Sequence, residues 1–130
     1  MSLSASQLWI AWQHSTEVRE LAEAWLTRPE RSWGTDDNAL YGLLRRDPDK
    51  LLSILFGIMQ LTDDAQALSE LGAGPFEDFL GAHGEAYVEK IHSLALEQVR
   101  LREVLDHVWQ GAMPKHVWRR IELLGQSKFT

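Results

Sequence analysis

Gly72-Ala73-Gly74-Pro75-Phe76-Glu77-Asp78-Phe79-Leu80-Gly81-Ala82-His83-Gly84 is the stretch on which the reading of this chain turns. Gly72 follows Leu68 and Leu71 and stands where a helix would close, since glycine accepts the left-handed backbone without a steric penalty. Gly74-Pro75 reads as a restart, because proline suits the first helical position. Glu77 and Asp78 then fall in a first turn, where carboxylates meet the positive end of the helix dipole. Phe76, Phe79, Leu80 and His83 recur at i, i+3, i+4 and i+7, one face of a helix. Gly84 reads as the stop. Gly81 inside that helix costs about 1 kcal/mol relative to alanine, which points to a close neighbour.

Upstream, Asp47-Pro48 combines a side-chain cap with a proline at the first helical position. The segment after it, Leu51 to Met59, is apolar almost all round, which marks residues 48–61 as the core helix. Thr62-Asp63 is expected to cap the next short helix. Val18, Leu21, Ala22 and Trp25 give a clean amphipathic helix that Pro29 ends, and Leu8, Trp9 and Trp12 mark a short one before it. Leu40, Tyr41 and Leu44 belong to a further helix, reached through a loop around Trp33-Gly34 and capped by Thr35 or Asp36. Downstream, Tyr87, Val88, Ile91 and Leu94 form one stripe, and Leu101, Val104, Leu105 and Val108 form another. The apolar phase slips near Leu96–Val99, so a break is expected there. Gly111 is expected to end the second stripe and Pro114 to begin a last helix with Val117, Trp118, Ile121 and Leu124 inward. No segment alternates apolar and polar residues for long enough to be a strand.

The expected fold is therefore all-α. Residues 1–130 make a single domain of eight or nine short helices, with residues 1–5 set aside as a disordered start. The helices would pack as an irregular array or a HEAT-like α–α superhelix, the latter suggested by proline-started helices at 48, 75 and 114. The chain has 130 residues, enough for a core without staples, and no cysteine. The start has no basic region before its apolar run, and no apolar run approaches the length of about 20 residues needed to span a bilayer. No membrane segment is expected, and the location expected is cytoplasmic.

Charge is uneven along the chain. Residues 1–50 carry −2, residues 51–89 carry seven acids and no Lys or Arg (−7), and residues 90–130 carry +3, for a net −6. That balance argues against unaided binding of nucleic acid, which needs cations to neutralise phosphates.

The run GAGPFEDFLGAHG, followed by Arg102, Leu105, Val108-Trp109 and then Trp118 with Arg120-Ile121, resembles the signature of a family of small bacterial all-helical domains of unknown function. The resemblance covers roughly residues 47–121. It implies an all-α structure and a bacterial cytoplasmic setting, and it implies no activity.

Candidate functional residues follow from the same stretch. Gly74, Pro75, Glu77, Asp78 and His83 form the candidate spot. His83 reads either as a base or ligand near Glu77 and Asp78, or as a neutral imidazole bonded to a backbone carbonyl; the second is the expectation. Glu77 and Asp78 point about 100° apart on a helix and do not converge by themselves. Glu89 and His92 have the Glu-x-x-His spacing of di-iron bundles, but that chemistry needs a second such motif and two further glutamates. No metal site and no cofactor is expected, and no phosphate loop or nucleophile motif occurs. Trp25 and Trp118 lie on inward stripes, whereas Trp9, Trp12 and Trp33 are candidates for exposure. The function expected is a non-catalytic protein–protein interaction module, an adaptor or an inhibitor of immunity type. It would present Asp63, Asp64, Glu70, Glu77, Asp78, Glu85 and Glu89 to a basic protein partner. The alternative is a small enzyme with a cleft lined by Glu77, Asp78 and His83.

Overall fold

A computed structural model describes residues 15–27 and 39–124, together with Gln7. Residues 15–27 and 39–124 hold six helices and no strand. They are α1 (Thr16–Thr27), α2 (Ala39–Arg46), α3 (Pro48–Leu61), α4 (residues 65–97), α5 (Val99–Leu105) and α6 (Lys115–Glu122). The helix expected around Leu8–Trp12, the Trp33 loop, the Thr35 or Asp36 cap and Pro29 lie outside the described residues.

The core helix is where the sequence placed it. Asp47 caps α3 by accepting the Lys50 N–H at 3.2 Å, and Pro48 opens it. Every residue from Leu51 through Met59 is buried, Ser53 among them. α1 lies along α3 and buries Val18, Ala22 and Trp25, while Lys50 reaches Glu17 at 2.6 Å on the outside. α2 and α5 also pack on α3. The cap of α4 falls later than expected: Asp64, not Thr62-Asp63, accepts the Gln66 N–H, and Thr62 Oγ1 accepts the N–H of Asp64.

The main departure is α4. Ala65–Leu71, a π turn at Gly72–Phe76 and Glu77–Glu97 follow one another without a break. The stops expected at Gly72 and Gly84, and the start expected at Pro75, are absent. Gly72 has ordinary right-handed angles, φ −68° and ψ −47°. Among the described glycines only Gly111 has a positive φ. Pro75 has no N–H to give the carbonyl of Leu71, and in an α-helix its ring would collide with that carbonyl. Widening the turn removes the conflict: the Glu77 N–H bonds to Gly72 O, five residues back, and the helix continues. Phe76, at the end of the π turn, then packs on Phe56 of α3 with ring centroids 6.3 Å apart.

The break expected near Leu96–Val99 is present. Gln98 is extended, at φ −120° and ψ 102°, between α4 and α5. α5 stops at Leu105 rather than at Gly111, and turns lead to Pro114, which precedes α6 at φ −59° and ψ 151°. Arginines of α5 close the C-terminal ends of two helices. Arg100 donates to Met59 O at 3.0 Å and to Thr62 O, and Arg102 donates to Ala95 O. These carbonyls have no partner within their own helix, and a cation there also opposes the dipole. No helix among the described residues is long and apolar enough to cross a membrane.

Candidate functional site

The glycines of the Gly72–Gly84 stretch are positions of close approach. A methyl group built on Gly72 would stand 2.4 Å from the carbonyl oxygen of Val104, one on Gly81 3.2 Å from Ala112 Cβ, and one on Gly84 2.8 Å from a methyl of Val117. The partner numbers rise with the glycine numbers. The chain from Val104 to Val117 therefore runs along α4 in the same direction, seated in a channel that the missing side chains leave open. The neighbour expected beside Gly81 is this segment. Pro75 is buried and Gly74 half-buried within the π turn, so neither lines an open loop.

Glu77 belongs to the same seat. Its carboxylate accepts the backbone N–H of Trp109 at 2.9 Å, and Oε2 lies 3.4 Å from where a Cβ on Gly111 would be. At φ +49° Gly111 also holds a backbone that disfavours other residues. Glu77 thus fixes the turn after α5.

His83 faces another way. Its Nε2–H donates to Leu44 O near the end of α2 at 2.5 Å, the bond to a backbone carbonyl that the sequence suggested. The ring packs on Phe79 and Tyr87, with centroids 5.6 and 6.2 Å away, and those two rings meet edge to face at 5.0 Å. Tyr87 donates its hydroxyl to Asp49 in the first turn of α3. Burial, that hydrogen bond and the negative charges of Asp49 and Asp47 push the Tyr87 phenol well above its usual range. Phe79, His83 and Tyr87 therefore clamp the corner between α2 and α3. His83 lies six residues from Glu77, about 240° around the helix. Its bonded partner is Leu44, whereas that of Glu77 is Trp109. Asp78 is exposed one position beyond Glu77.

The seven acids do not all share one environment. Asp63, Asp64, Asp78, Glu85 and Glu89 are exposed, whereas Glu70 and Glu77 are half-buried. Asp64 caps α4, and Glu70 accepts from Gln66 at 2.9 Å. Asp78, Glu85 and Glu89 stand at i, i+7 and i+11, within about 20° of one line along α4. Glu85 lies 3.5 Å from His116, and Glu89 is bound by Arg120. The hydrogen bond and charge of Arg120 hold the Glu89 carboxyl below its ordinary range. Among the described residues no three His, Asp or Glu side chains gather as a metal ion requires.

Trp25 is buried, and Trp118 is half-buried against the core, as their stripes suggested. Trp9, Trp12 and Trp33 lie outside the described residues. Among the described residues the exposed tryptophan is Trp109, 67% accessible, which sequence reasoning did not single out. Its signal was the neighbour Val108: that side chain completes the buried stripe, so the next residue is turned outward before Gly111.

Residues 22–128 match a family of unknown function (DUF6869). The chain belongs to that family. The match extends beyond the 47–121 of the sequence resemblance, and the whole of α2–α6 lies within it. No curated protein and no solved structure matches the chain. In this member of DUF6869 the inner faces of a long helix seat its neighbours, and its outer stripe is acidic.

Proposed function

We propose that this protein is a non-catalytic interaction module that docks a basic protein surface through the outer stripe of α4, as an adaptor or as an inhibitor of a basic enzyme. The observation that carries this reading is the alignment of Asp78, Glu85 and Glu89, all exposed, along one side of a rigid helix, with Asp63 and Asp64 exposed at its start. A linear array of like charge on a fixed scaffold raises encounter rates with an oppositely charged partner and makes the association salt-sensitive. Glu77 is removed from the face, because its carboxylate is taken up by the Trp109 N–H. The enzymatic alternative has less support, since Glu77 and His83 are engaged by backbone groups of different elements. Of the two architectures expected, the irregular array is the one this proposal needs. A HEAT-like superhelix requires repeated helix pairs, and Pro75, counted as the start of one, lies inside a continuous helix. Affinity capture from the native host at low and high salt tests the reading. A partner should be enriched at low salt, released at high salt, and lost when Asp78, Glu85 and Glu89 are changed to Lys. Capture that ignores those changes removes the acidic stripe as the docking face.

A further inference from the structure

The outer stripe of α4 does not end with its acids. Asp78, Ala82, Glu85, Glu89, Ser93 and Leu96 are all exposed, and their steps of three and four bring Leu96 into line with Asp78 after about five turns. α6 lies beside this stripe and runs the same way: Val117 meets Gly84, His116 approaches Glu85, and Arg120 holds Glu89. His116, Arg119, Arg120 and Leu123 stand at i, i+3, i+4 and i+7, so α6 carries a basic strip of its own. Leu96 and Leu123 are 64% and 66% exposed, each at the same end of its helix. One face of the molecule thus holds an acidic strip and a basic strip side by side, with a bare leucine closing each.

We propose that this face joins two copies of the chain, the acidic strip of each lying on the basic strip of the other. The inference rests on the reading of the α4 stripe as a docking face and names its partner. Symmetry decides between the alternatives. A wholly basic partner would set its charge against Arg119 and Arg120 as well as against the acids, and like charges face to face are disfavoured. A second copy avoids this, provided that the two-fold axis lies parallel to the helices. That axis places α4 of one copy over α6 of the other and matches unlike charges in both halves. An axis across the helices would place α4 on α4, acid on acid. The parallel axis also keeps the two helix pairs pointing the same way, so the exposed Leu96 and Leu123 of both copies gather toward one end of the joined face. The pairs within one copy do not close the face to such exchange, since exposed ion pairs hold weakly in water.

Light scattering on a sizing column, with dilution to extract the dissociation constant, tests this on the full chain. The wild type should be a dimer at low salt and dissociate as salt rises. Glu85→Lys with Glu89→Lys should raise the dissociation constant at least about tenfold, and Arg119→Glu with Arg120→Glu should do the same. The two variants mixed in equal amounts should associate again, because each reversed strip meets a reversed strip. Leu96→Asp, which touches no ion pair, should also weaken the dimer, and helical circular dichroism checks that each variant is folded. A monomeric wild type, reversals that leave the dimer intact, or a mixture that stays monomeric overturns the proposal. A monomer that still captures a basic protein in a salt-sensitive way removes the self-association and leaves the acidic-stripe reading standing.

Discussion

At the scale of single residues, the side chains most suggestive of chemistry are engaged in holding corners. His83 satisfies a carbonyl at the end of α2 that has no partner within its own helix. Replacing His83 with Ala leaves that carbonyl in a half-buried setting, and the loss should be about 1–3 kcal/mol of unfolding free energy. Urea denaturation measures it, and an unchanged midpoint would show that the bond holds nothing. Tyr87 makes a second prediction, about pH. Its phenol titrates above the ordinary value near 10 when folded, so between those two values the folded state binds more protons than the unfolded. Its contribution is complete below about pH 10 and is lost as pH rises toward the folded value. Stability measured from pH 8 to 11 should fall more steeply for the wild type than for Tyr87→Phe. Parallel slopes would mean that burial and the Asp49 bond do not hold the phenol above its ordinary range in solution.

At the scale of elements, the glycines of α4 separate two accounts of the same letters. If Gly72 and Gly84 were only poor helix formers, alanine at either would gain about 1 kcal/mol. The seat for residues 104–117 reverses that sign. At Gly72 the new methyl meets the backbone oxygen of Val104, which cannot yield without moving α5, and a loss of about 1–3 kcal/mol is expected. At Gly84 the obstacle is a methyl of Val117, which can shift, so the loss should be smaller. Thermal denaturation gives both signs. The sequence was most legible where the deciding physics is local: the Asp47-Pro48 cap, the all-round apolar run of α3, the phase slip at Gln98. It misled where the deciding atoms are distant in sequence. Glycine has the same signature whether it ends a helix or admits a neighbour, and the neighbours of Gly72, Gly81 and Gly84 lie some thirty residues on. Pro75 starts helices more often than it sits inside them, and only the π turn made the interior tolerable. The capping arginines of α5 were hidden for the same reason, since Arg100 reaches a carbonyl 41 residues away.

At the scale of the molecule, the stretch that looked like a turn, a short helix and a stop is the middle of one helix. Its faces are divided among three tasks. One face seats α5, the turn after it and α6; a second clamps α2 to α3; a third stays outside and carries the acids. The division explains why the candidate residues do not assemble into a cleft and why Asp78, Glu85 and Glu89 stay on the outside. It depends on α4 being continuous through Gly72–Gly84. Amide hydrogen exchange, read residue by residue, tests that most directly. Continuity predicts slow exchange from Glu77 through Leu94 as one block, with Gly84, Glu85 and Ala86 as protected as Phe79 and Leu80. Fast exchange confined to Gly84–Ala86, splitting the block into two helices, would contradict it.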